Sequence, residues 1–410
     1  MQNRLHRRAS TRIGVLPGVL TALMAAALLA ACGGNDDDSA PVAPPVATPL
    51  ANQLYTQTNE TANAIVHFTR QADGTLVRAE STPTGGAGTN AVNLAGATVP
   101  DSLAGQHSLI ISADAMTVFT VNGGDDSISS LSVDQKTGAL TLLKKSAATA
   151  GHVPNSLALN NGTLYATFLA GAHALAAYKV GADGGLTQIA AYDLNALGGI
   201  TNAAPTQVVV SPDGTSLVVS AGTKSGTIMS FPINADGTLG TVVTTTSLAT
   251  PFAGAFLPQK TSPVYLSTST SLASLTEFSD AAGSLTQVGQ ASTASDPSVA
   301  APCWLVLNPA GSVAFVGNGS GAISSYAVSP TTGVALLNAM AATEAGVKTG
   351  IGAVAADSWV SADGKYLYSA YLGDDKVVAY SIGLDGSLGK IGETTIGTAT
   401  GLSLQGLVGI

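Results

Sequence analysis

Cysteine, charge and aromatic residues are all scarce in this chain. Two cysteines in 410 residues, at 32 and 303, cannot build a disulfide framework, so stability must come from a core. Charged residues make up 10% and aromatic residues 5%. Four of the six arginines fall within the first twelve residues, leaving Arg70 and Arg78 for the rest. The portion after residue 31 holds 12 basic and 25 acidic residues (16 − 4 = 12), a net charge near −13. Nucleic acid and anionic lipid surfaces are therefore excluded as partners. No G-x-S-x-G elbow, P-loop, H-E-x-x-H or C-x-x-C occurs, and neither a metal site nor a cofactor follows from the residues.

The only long apolar run is Val15 to Ala31, preceded by Arg4, Arg7, Arg8 and Arg12. Its shortness and its small-residue end predict a secretory signal over 1–31 rather than a spanning helix. Leu29-Ala30-Ala31-Cys32-Gly33 resembles the lipobox of bacterial lipoproteins, which implies lipidation of Cys32. Glycine after that cysteine implies sorting to the outer membrane of a Gram-negative cell envelope. The acidic and Pro/Ala-rich residues that follow predict a tether over 32–51.

From 52 to 410 the abundant residue is glycine, and it recurs in a pattern. Asp73-Gly74-Thr75-Leu76 reappears in related form around Gly138, Gly184, Gly237, Gly283, Gly333 and Gly386. The mean spacing is (386 − 74)/6 = 52 residues. Short strands between such turns make this the period of a propeller blade. The fold expected is all-β, a seven-bladed β-propeller of four-stranded blades. Phe68, Leu131, Tyr178, Phe231, Phe278, Tyr326 and Tyr380 fall five to seven residues before the repeat glycines and are read as packing between blades. Within blade four, Pro232 is expected at a bulge or strand end, followed by a fourth strand over Leu239 to Thr245.

The first blade lacks an inner strand, while apolar residues remain after the seventh. The C-terminal strand is therefore expected to pair with the first blade and close the ring. The long connections at 82–106, 290–301 and 339–356 fall on the face opposite the repeated turns, and the candidate site is expected at the channel mouth there. Asp125-Asp126 and Asp374-Asp375, in matching turns, read as solvated turn residues, with a cation bound across neighbouring blades as the alternative.

Ala301-Pro302-Cys303-Trp304-Leu305-Val306-Leu307, Ile323-Ser324-Ser325-Tyr326 and the turns Ser211-Pro212-Asp213-Gly214 and Ala362-Asp363-Gly364-Lys365 carry a resemblance to the seven-bladed lactonase propellers. That family includes 6-phosphogluconolactonase-like and carboxymuconate-cyclase-like proteins. The resemblance implies hydrolysis of a small lactone. Its His-Pro-His motif corresponds to His152-Val153-Pro154-Asn155, which departs from it at two positions. His107 and His152 are the candidate bases, each with a structural role as the alternative. Asn155, Gln207, Trp304, Asp357 and Trp359 are candidate binding residues near inner-strand starts; Cys303 is read as a buried, inert thiol. The rival reading is a non-catalytic envelope propeller that binds a protein or glycan through its variable loops. A monomer, attached to the membrane by lipid only, is expected on either reading.

Overall fold

Blade four shows how the sequence writes a blade. Val208, Val209 and Val210 favour an extended inner strand, Gln207–Val210. The next four residues then turn the chain, with the Ser211 hydroxyl donating to Asp213 at 2.6 Å and Gly214 adopting φ +73°. Strands Ser216–Ser220 and Ile228–Pro232 follow. The fourth strand covers only Val243–Thr245. Pro232 brings no N–H to the ladder, and beyond it a single bridge joins Ile233 to Leu239. Pro232 thus ends its strand as expected, and the expected start at Leu239 moves to 243.

In the computed structural model, the described residues are 50–410 apart from 223–225, 247–248, 282, 294–295, 297–298 and 347–351. Cys32, the signal segment and all but the end of the tether lie outside them. Seven four-stranded antiparallel sheets are present. Their inner strands are Leu109–Ile111, His152–Asn160, Gln207–Val210, Pro251–Phe256, Pro302–Leu307, Ala355–Val360 and Gln405–Gly409. The last of these comes from the C-terminus and pairs with Gln53–Gln57, with Leu54 opposite Gly409 and Tyr55 opposite Val408. The expected closure is borne out, and the first and last strands of the described residues share blade one.

All seven expected packing residues are buried in third strands, at 1% exposure or less. Full burial of side chains this large contributes about 1.5–3 kcal/mol each. The repeat glycines carry a second duty besides a left-handed turn. Tyr55 donates to the Gly138 carbonyl at 2.8 Å, Tyr165 to Gly237 at 2.9 Å and Tyr368 to Gly74 at 2.7 Å. In each case the donor belongs to the preceding blade. A Cβ on Gly74 would sit 2.4 Å from the Tyr366 ring, and one on Gly237 would sit 2.3 Å from Thr163. These glycines let one blade's turn touch the preceding blade's sheet.

Candidate functional site

Inner strands do not enter their sheets in regular register. Pairing with the second strand is interrupted between Pro154 and Ser156, Pro302 and Trp304, and Ala355 and Ser358. Asn155, Cys303 and Asp357 fall at these interruptions. A bulge re-aims the residue it carries, and here it turns two candidates, Asn155 and Asp357, and the Cys303 thiol away from the ladder. Residues at or just before the strand starts take left-handed backbone, including His107 (φ +67°), Val153 (+53°) and Val354 (+54°). Such conformations store strain that the surrounding structure must hold.

Residues 101–108 end the long connection from blade one and cross the centre of the ring. The Gln106 side chain clips onto blade six, its amide donating to the Leu305 carbonyl at 2.8 Å and its carbonyl accepting the Leu305 N–H at 2.9 Å. Its backbone N–H donates to Thr206 of blade four at 3.0 Å. The His107 N–H donates to Asp357 Oδ1 of blade seven at 3.2 Å, and the His107 carbonyl accepts from Leu157 of blade three at 2.9 Å. Trp304 Nε1 donates to Gly105 at 3.2 Å, and Asn155 donates to Leu103 and Pro205. The segment satisfies inner-strand groups that would otherwise face an empty channel.

His107, Asn155, Gln207, Trp304 and Asp357 are thus brought together. Gln207 joins through its amide nitrogen, 3.2 Å from His107 Nδ1, while its carbonyl accepts the Gly254 N–H. Gln106 Nε2 stands 3.4 Å from His107 Nε2. Burial pushes the imidazole down to about 4, against a backbone hydrogen bond at Val208 that raises it, so His107 is neutral at pH 7. Asp101 and Asp357 move the other way, both to about 7, chiefly through burial. Hydrogen bonds from Gly105 and His107 respectively oppose those rises, while the Asp357 charge adds to the rise at Asp101.

His152 and Trp359 stand apart from this group. His152 is exposed on the rim, its Nδ1 2.6 Å from Asp126, whose other oxygen accepts the Val153 N–H. Trp359 stacks on Tyr368 at 5.8 Å and covers Gly409, where a Cβ would lie 2.5 Å from the indole. That is packing between blades seven and one. Cys303 is buried, and burial followed by the Asp101 charge raises its thiol well above the ordinary value, as an inert role requires. Asp374 and Asp375 are buried rather than solvated, which corrects that expectation. Asp375 accepts the Gly397 and Thr398 N–H groups and the Thr398 hydroxyl.

A cavity of about 710 Å³ ends against His107. Its walls are the lower halves of the inner strands of blades two to four, with Ile110, Leu157 and Val209 apolar and Asn160 and Asn161 polar. Lys260 is the only cation among its lining residues. This cavity opens among the tight inner turns, on the face opposite the one expected. The connection-side face bears a smaller hollow of about 300 Å³, lined by residues such as Thr89, Asn93 and Val153 and by no titratable group. Segment 101–108 separates the cavity from the connection side. Asp101, Gln106 and Gln405 belong to the channel and were not candidates. A signal for the first two lay in the very short inner strand they precede.

Residues 115–263 match the model of the lactonase, 7-bladed β-propeller family. A solved 6-phosphogluconolactonase candidate from Bacteroides fragilis is 19% identical over 87% of this chain and 97% of its own, with a TM-score of 0.64. The periplasmic gluconolactonase PpgL of Pseudomonas aeruginosa is 18% identical over 84% and 97%, also at 0.64. A second 6-phosphogluconolactonase candidate, from Bacteroides uniformis, is 21% identical over 87% and 98%, at 0.63. No curated protein matches the sequence. The resemblance to lactonase propellers is borne out, and the likeness to the solved structures is one of fold.

Proposed function

We propose, from that likeness and the geometry of the channel, that this protein is an envelope lactonase that opens a small, unphosphorylated lactone in the cavity against His107. The observation that carries the reading is the cavity itself. About 710 Å³ suits a small ring, and its inner end presents His107 backed by Gln207 and Asp357. Hydrolysis adds water to the carbonyl carbon, breaks the ring C–O bond and returns a proton to the leaving oxygen. The site must take a proton from water and offer a donor to the oxyanion. Neutral His107 is the proton acceptor once an amide yields its nitrogen, and the Gln207 amide is the nearby donor.

A phosphate on the substrate would meet one point charge, Lys260, and no bidentate arginine clamp. Arg70 is engaged by Asn52, Asp363 and the Tyr366 ring, and Arg78 by the Ile396 carbonyl at 2.9 Å, all outside the channel. PpgL, named a periplasmic gluconolactonase, supports a sugar lactone without phosphate. The Cys32 motif supports lipid anchoring at the outer membrane. No helix among the described residues is long and apolar enough to cross a membrane. Replacing Cys32→Ser should move the protein from the membrane fraction to the soluble one and abolish labelling by palmitate.

The test is hydrolysis of a lactone panel by the purified protein. His107→Ala should lower kcat/KM by roughly 10²–10⁴-fold. Because the reaction needs neutral His107, its acid limb should lie near pH 4, where burial has placed the imidazole, instead of near 6.5. A second reading is favoured by one observation: both His107 ring nitrogens already face amide nitrogens, the arrangement of a structural histidine. On it, the variable loops of a non-catalytic propeller bind an envelope protein or glycan. Rates no faster than buffer across the panel would leave that reading in place of the enzyme.

A further inference from the structure

The channel axis contains polar groups that nothing among the described residues satisfies. Asp357 is 2% exposed; its Oδ1 accepts the His107 N–H, but Oδ2 has no partner. Gln405 is fully buried, and neither its amide nitrogen nor its amide oxygen completes a hydrogen bond of good geometry. Its amide nitrogen nevertheless faces the Asp101 carboxyl as a donor, which leaves the amide oxygen open, and the charge felt by that carboxyl is the like charge of Asp357. The buried Ser403 hydroxyl, two residues before Gln405, is also unpartnered. Native interiors satisfy such groups with water or ions.

We propose that the channel axis binds a hard divalent cation of the calcium type, ligated by Asp101, Asp357 and the Gln405 amide oxygen. The donors are all oxygens, and two of the three are carboxylates, the set calcium takes together with carbonyls and water. The set is two acids and an amide, so it differs from a cluster of three His, Cys, Asp or Glu, of which the described residues hold none. A cation supplies the positive charge that these two acids lack. It also explains why Gln405 carries an amide in a strand otherwise made of Gly, Leu and Val. Asp101 leads into blade two, Asp357 belongs to blade seven and Gln405 to the strand that completes blade one. One ion would therefore tie together the three blades at which the ring closes. The inference is independent of lactone hydrolysis.

The test uses the full chain stripped with EDTA. Terbium should bind saturably and give luminescence sensitised through Trp304, whose indole donates to Gly105 within the same segment. Calcium should displace it and raise the melting temperature. Asp357→Asn should weaken terbium binding at least about tenfold, and Gln405→Leu should weaken it in the same direction. Asp114→Asn, altering an exposed turn, should leave it unchanged. Absence of saturable emission and of a calcium-dependent melting shift in the unaltered chain would overturn the proposal, whether or not the variants fold. Undiminished binding by a folded Asp357→Asn protein would overturn it equally.

Discussion

Asp73, Asp236 and Asp385 sit on exposed turns, and each accepts a backbone N–H and a hydroxyl from the residue two places on. Those bonds hold their carboxyls below the usual range. Asp101 and Asp357, in the channel, are raised to about 7 because burial outweighs the bonds they receive. The rim aspartates are completed by their own sequence neighbours, so the same short phrase recurs in blades one, four and seven. Asp357 depends on the His107 N–H 250 residues away; Asp101 takes a bond from nearby Gly105 but feels the charge of distant Asp357, and each occurs once. Local completion yields a repeat; distant completion yields a site.

Removing the strand that serves both regions should have the largest effect. Deletion of 401–410 takes the inner strand from blade one and Gln405 from the channel, and should abolish cooperative melting followed by circular dichroism. A native melting temperature would show that closure is dispensable. Next comes Gln106→Ala, which leaves the Leu305 N–H and C=O buried without partners. The expected loss is about 2–4 kcal/mol in urea unfolding; under ~0.5 kcal/mol would mean that water replaces the clip. Tyr368→Phe removes one bond between a blade and its neighbour's turn, and should cost about 1 kcal/mol with unchanged function. His152→Ala should do least, within ~0.5 kcal/mol and without effect on hydrolysis, because its partner Asp126 lies with it at the rim. A His152 effect as large as that of His107 would erase the distinction between rim and channel.

What could be read in the sequence follows the same division. Gly74 to Gly386 revealed seven blades because a turn needs glycine wherever backbone is left-handed and a neighbour presses close. The closing strand was legible as an apolar remainder with one vacant place to fill. His107, Asn155, Gln207, Trp304 and Asp357 were legible as residues at inner-strand starts, where chains approach an axis. His152 and Trp359 satisfy that same rule and still point elsewhere, because sequence position near a strand start does not fix which way a side chain leaves a bulge. Asp101 and Gln106 were hidden in a connection without counterpart in other blades. The open face was misjudged for a related reason: segment 101–108 fills the channel towards the connections and leaves space among the tight turns.

The pairing of Gln53–Gln57 with Gln405–Gly409 also governs when this molecule can become itself. Thr56 donates to the Gln405 carbonyl across 349 residues of chain, so the first blade made by the ribosome must wait until that closing strand has been synthesised. At roughly 5–20 residues per second that wait is on the order of 17–70 s. A chain held incomplete for so long stays an open array of blades throughout its synthesis, and then completes its ring in a single late step.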